Sequence, residues 1–139
     1  MHQETCLSLA DAQKVLAVIQ KELETSGRGA AIAVADAHGE LIAFARTEGC
    51  PLPSITIAIN KAFTAARERK PSRAVGEASR REGFPLTNFG DPRYVGWGGG
   101  VPIIHQQRII GGVGVSGLSE DDDVALAQQG IDALRAGTA

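Results

Sequence analysis

The stretch Gly111-Gly112-Val113-Gly114-Val115-Ser116-Gly117 constrains the fold of this chain more than any other. Val113 and Val115 keep the two-residue period of a β-strand, with glycines between them. Glycine inside a strand marks a place where another backbone or a ligand comes close. The strand therefore reads as one kept thin so that something packs against it. Residues 112–117 also spell G-x-G-x-x-G ahead of a helix. A dinucleotide fingerprint needs those glycines in a turn after a parallel strand, and a second strand ending in an acid about 20 residues later. Here the valines continue a strand and the chain ends with the next helix, so nucleotide binding is not expected.

The other elements follow from periodicity. Leu9, Ala12, Leu16, Ile19 and Leu23 mark one face of a helix over residues 8–26, with Ser8 as N-cap and Gly27 as stop. Residues 30–36 alternate Ala31, Ala33 and Ala35 with Ile32 and Val34, a strand that turns through Asp36-Ala37-His38-Gly39 into a second strand at 41–46. This hairpin makes the sheet begin antiparallel. Ser54 is expected to cap a helix carrying Ile55, Ala58, Ile59, Ala62, Phe63 and Ala66, which Lys70-Pro71 stops. Ser72 starts a shorter helix to about Arg81, weakened by Gly76. Residues 83–100 form a long glycine-rich connection with one short strand near Tyr94–Gly98. Strands at 101–105 and 108–116 meet at Gln106-Gln107. Ser119 caps a last helix whose first turn holds Glu120, Asp121, Asp122 and Asp123, acids suited to the positive end of the helix dipole. The expectation is an α/β (α+β) domain over residues 1–139, with about five mostly antiparallel strands and helices packed on them.

Composition narrows the class. With 139 residues there is room for one domain, and with 4% aromatic residues the core must be built from Ala, Val, Ile and Leu. Such a chain buries modest area, so association of copies would help it. A formal net charge of −2 argues against a general nucleic-acid binder. Cys6 and Cys50 have neither metal spacing nor a disulfide framework, which fits reduced thiols in a cytoplasmic protein. No secretory signal and no stretch of membrane-span length is expected.

Four stretches, in this order and at this length, carry a family resemblance over nearly the whole chain. They are Leu7–Ala12, the hairpin Ala33–Arg46, the helix Ser54–Ala66 and the tail from Gly98-Gly99-Gly100-Val101-Pro102 through Gly111–Gly117. The chain resembles the GlcG-type, haem-degrading-domain family (HbpS-like, PduO C-terminal-like). The resemblance implies a profilin-like fold and commonly a homo-oligomer. Its members include haem-binding proteins, domains attached to corrinoid enzymes, and proteins encoded with catabolic pathways. It makes haem a possible cofactor. Haem-binding relatives can use an axial histidine, and His2, His38 and His105 all fall before the first helix or in or beside hairpin turns, so none is a convincing ligand.

Several residues are candidates for chemistry. Lys61 lies among Ile57, Ala58, Ala62 and Ala65, where partial desolvation would make it an anion anchor or a base. Residues 61–81 are basic, with Arg67, Arg69, Lys70, Arg73, Arg80 and Arg81; most of these read as solvated helix faces or a subunit contact, although such a segment can receive a carboxylate or phosphate. Arg46 and Asp36 end the two hairpin strands, near each other at one hairpin end. With Lys61 they are the candidate catalytic set. Gly98, Gly99 and Gly100 form either a backbone nest for an anion or a bend. With Trp97 and Ser116 they are the candidate ligand-binding set. Cys50, near a helix start, would be a nucleophile if its pKa were lowered. No cluster has metal-ligand spacing. Three functions stay open: a binding protein for haem or another planar or carboxylated, anionic small molecule; an isomerase, hydrolase or deaminase acting on a small acidic catabolite; and a non-enzymatic oligomeric accessory subunit.

Overall fold

The computed structural model describes residues 1–136. Its elements are α1 (Leu9–Ser26), β1 (Ala31–Asp36), β2 (Leu41–Arg46), α2 (Ser54–Glu68), α3 (Ser72–Glu82), a 3-10 turn (Leu86–Phe89), β3 (Gly100–His105), β4 (Arg108–Ser116) and α4 (Glu120–Ala136). The order of the sheet is β2-β1-β4-β3, every pair antiparallel. The caps work as their chemistry dictates. The Ser8 hydroxyl accepts from the Asp11 N–H at 3.1 Å, and the Ser119 hydroxyl accepts from the Asp122 N–H at 3.2 Å. Gly27 closes α1 in the left-handed region, φ 67°.

The two faces of the sheet differ because the sequence alternates differently on each. Ile32, Val34, Val101, Ile103, Val113 and Val115 pack against Val15, Ile19 and Leu23 of α1 and Leu126 and Ile131 of α4. This is the larger core. The opposite face offers Ala31, Ala33 and Ala35 together with Gly112 and Gly114, and α2 lies directly on it. A Cβ at Gly112 would come 2.6 Å from the Ala62 carbonyl oxygen, and one at Gly114 would collide with the Ala58 carbonyl. Thinness in β4 is therefore what seats α2, backbone against backbone.

Three expectations need correction. The sheet has four strands, not five. Residues 94–98 join no ladder, and their polar backbone is used by helices instead. The Val95 N–H donates to Thr64 Oγ1 at 3.0 Å, the Trp97 carbonyl accepts from Ser72 Oγ at 2.7 Å, and the Gly98 N–H donates to Glu120 Oε1 at 2.6 Å. Gly96 also rests on Gly76 of α3, where a Cβ on either would strike the other's backbone. Second, Ser54 is not a cap. Pro53 precedes the helix, and Ser54 is its first residue, making no capping hydrogen bond. Third, Asp36 and Arg46 do not share a hairpin end. Ala31 pairs with Arg46, while Asp36 sits at the turn, its N–H donating to the Glu40 carbonyl.

Candidate functional site

The site begins where the close contact between α2 and β4 ends. Along the seam Gly112 faces Ala62 and Gly114 faces Ala58, two strand residues for four helix residues. The next step brings Ser116 to Ser54. Ser116 supplies the first side chain on that face of β4 after two glycines, and there a cleft of about 410 Å³ opens. Ser54, Ile57 and Lys61 line it from one face of α2, spaced by three and four residues. Ser116, Gly117 and Leu118 line it from the end of β4, Glu120 and Asp123 from α4, and Trp97 from the glycine-rich connection.

Lys61 is the floor of this cleft and is almost wholly buried, its side chain 3% exposed. Its ammonium donates to the Val115 carbonyl at 2.9 Å and to Asp123 Oδ2 at 3.2 Å. Asp123 is equally buried and accepts a further hydrogen bond from the Leu118 N–H at 3.2 Å. Burial pushes its carboxyl above the ordinary range, and the Lys61 ammonium pulls it back down. Lys61 is thus desolvated, as its neighbours imply, but its charge is already matched.

Asp123 escapes a reading of the acidic run as dipole complementarity. Glu120, Asp121 and Asp122 do fit that account, being exposed in the first turn of α4. Asp123 differs because it lies three and four residues before Leu126 and Ala127, on the buried stripe of the helix. An acid on an apolar stripe was the available signal.

Ser54 and Ser116 are 6% and 5% exposed as residues; their hydroxyls make no hydrogen bond to protein among the described residues, and neither oxygen is sealed from solvent. Both line the cleft. Trp97, 58% exposed, presents its ring at the mouth. Gly98, Gly99 and Gly100 stand behind this wall rather than at its surface. Their groups are largely spent inside the protein: the Gly98 N–H on Glu120, the Gly100 N–H on Ser72 Oγ at 2.9 Å, and the Gly99 carbonyl on the Val115 N–H at 3.0 Å. They form a bend, and their lack of side chains admits Lys61 and Asp123. A Cβ at Gly99 would lie 2.8 Å from the Lys61 nitrogen.

Other candidates lie elsewhere. Arg46 is exposed and lines a separate hollow with Thr47 through Cys50. The Asp36 carboxylate closes the hairpin turn, accepting from the N–H groups of His38 at 2.9 Å and Glu40 at 3.0 Å. Lys61, Arg46 and Asp36 are therefore not assembled into one constellation. Burial raises the Cys50 thiol pKa, against the weaker opposing influence of Arg46, so the lowered pKa expected of a nucleophile is not found. The basic segment is largely engaged internally. Arg69 donates to the Ala37 and Ile109 carbonyls, Arg73 pairs with Asp121 at 2.9 Å, and Arg67 lies over the Phe63 ring. His2 and His38 both reach Glu4. His105 lines a second, mainly apolar cavity of about 180 Å³ with Cys6, Ile103, Ile110 and Ile131. No group of three His, Cys, Asp or Glu among the described residues could hold a metal ion. No helix among them is long and apolar enough to cross a membrane.

The family model described as "Haem degrading protein HbpS-like" matches residues 7–132. The chain belongs to the HbpS-like family. It is 33% identical to protein GlcG of Escherichia coli K12 over 118 residues, covering 84% of this chain and 85% of that one. Protein ORFY of Klebsiella pneumoniae has a crystal structure that superposes with a TM-score of 0.88 at 28% identity, covering 97% of this chain and 95% of that one. The crystal structure of a PduOC:haem complex gives a TM-score of 0.83 at 25% identity, with 93% and 95% covered. These matches bear out the expected α+β architecture of an HbpS-like domain, with one strand fewer.

Proposed function

We propose that this HbpS-like domain binds a small planar molecule with an oxygen-bearing polar end, in the cleft between α2, the end of β4 and the start of α4. The convergence of Ser54, Ser116 and Lys61 on one cleft carries the reading. Both hydroxyls lack a protein partner among the described residues and open onto the cleft, where each can donate to a ligand oxygen. Trp97 at the mouth supplies a flat apolar wall for a ring. Leu52 is 72% exposed beside Pro51 on the rim, and with Trp97 it supports the expectation that a second copy covers the mouth.

The test is to purify the full chain gently and record its native mass spectrum. A bound molecule retained by the unaltered chain, and lost from folded Trp97→Ala and Ser116→Ala variants, is the expected result. Retention in both variants would place the ligand elsewhere.

A second reading, haem binding, is favoured by the family and by the PduOC:haem complex. The residues present fit it poorly within one copy. His105 and Cys6 carry ligating atoms, but their 180 Å³ cavity is close to the size that holds one benzene ring, about 150 Å³. The larger cleft has no histidine or cysteine lining it. Titration with haemin decides the matter: a Soret shift that saturates at stoichiometric haemin and disappears in His105→Ala would establish this reading against the first.

A further inference from the structure

We infer that the polar end of the ligand in this cleft is an uncharged carbonyl group rather than a carboxylate, an inference that rests on the cleft reading above. The floor already balances its charge. Lys61 and Asp123 are each 3% exposed and 3.2 Å apart. A carboxylate brought to the floor would add a second negative charge beside the buried Asp123, and the single Lys61 ammonium cannot balance both. A neutral acceptor adds none.

The hydrogen-bonding groups point the same way. An ammonium has three N–H donors, and Lys61 uses one on Val115 and one on Asp123, leaving one. Ser54 and Ser116 each have a free O–H donor and line the same cleft. A carbonyl oxygen, with two lone pairs, takes up such donors without disturbing the ion pair. Nor do the neighbouring cations alter the balance. Arg73 is held by Asp121 at 2.9 Å and lies 4.0 Å from Glu120, and Glu120 itself carries a negative charge on the rim. The ligand class is therefore a planar ring bearing a ketone or amide, its ring against Trp97 and its oxygen at the floor.

The experiment compares three matched probes on the ¹⁵N-labelled full chain by NMR: acetophenone, benzoate and ethylbenzene. The reporters are the Trp97 indole N–H and the Gly117 and Leu118 amides. Acetophenone is expected to shift all three to saturation at pH 7, at least about tenfold more tightly than benzoate or ethylbenzene. Ser116→Ala should weaken acetophenone by about fivefold, the scale of one hydrogen bond, and leave ethylbenzene unchanged. Asp123→Asn, nearly the same shape, uncovers the lysine charge and should raise benzoate relative to acetophenone. Tighter benzoate binding to the unaltered chain would overturn the carbonyl assignment while leaving the cleft reading intact. So would equal binding of acetophenone and ethylbenzene, or a probe order unmoved by a folded Asp123→Asn. If no probe moves the reporters, the cleft reading itself fails.

Discussion

Lys61 and Asp123 tie three separate parts of the chain: α2, the last strand and the first turn of α4. A pair this deep offers little net stability when whole, but removing one partner strands the other, which typically costs about 3–5 kcal/mol. The cost here depends on pH, with a definite sign. Burial already holds the Asp123 carboxyl above its ordinary range. Lys61→Met removes the opposing pull, so the folded variant retains the Asp123 proton to higher pH than its unfolded chain does. Its stability is fully present below the unfolded value, about 3.9, and is lost as pH rises through the folded one. Urea unfolding from pH 5 to 8 should show the Lys61→Met deficit growing with pH. The double change Lys61→Met with Asp123→Leu should remove that slope. A deficit that shrinks toward pH 8 would show that the carboxyl is not the group responsible. Lys61 itself was legible in the sequence as a cation in an apolar run. Its partner was hidden because a run of four acids at a helix start has a sufficient surface explanation, and only helical phase separates Asp123 from its neighbours.

Elements α2 and β4 act as one unit because their contact is backbone on backbone. Gly114→Ala would press a methyl group into the Ala58 carbonyl and is expected to cost about 3 kcal/mol or more, the upper part of the range for overpacking. Gly27→Ala meets nothing within 4 Å and should cost about 1 kcal/mol, from its positive φ of 67° alone. Chemical denaturation of both variants checks this order, and equal losses would show that the seam is slack. The periodicity of helices and strands carried most of the architecture, and the thin alternation in β4 pointed correctly to close approach. Tyr94–Gly98 misled for a definable reason. Its residues suit an extended chain, but whether an extended segment joins a sheet depends on what its N–H and C=O groups meet. Here they meet Thr64, Ser72 and Glu120, side chains distant in sequence.

At the scale of the whole molecule, order should decrease outward from β1 and β4. These are the two central strands, covered by helices on both faces, and most of their residues are buried. The stretch from Gly83 to Trp97 is covered far less and contains no buried residue. Hydrogen exchange followed by mass spectrometry should therefore find β1 and β4 slowest and residues 83–97 fast. Fast exchange in β4 would contradict the proposed seam. The overall architecture was readable because it rests on local periodicity. The cleft was less so, since its members come from positions 54, 61, 97, 116 and 123, and no pattern along the chain links them. The glycine seam also limits how such a domain acquires new specificity. Because Gly112 and Gly114 admit no larger residue without unseating α2, the inner end of the cleft has almost no freedom to vary. Diversification must come from its outer positions, Pro51, Ile57, Trp97 and Leu118, which a ligand would touch and the seam does not use. A library randomised at those four sites should yield new binders on an unchanged scaffold, whereas one randomised along β4 should yield mainly chains that do not fold.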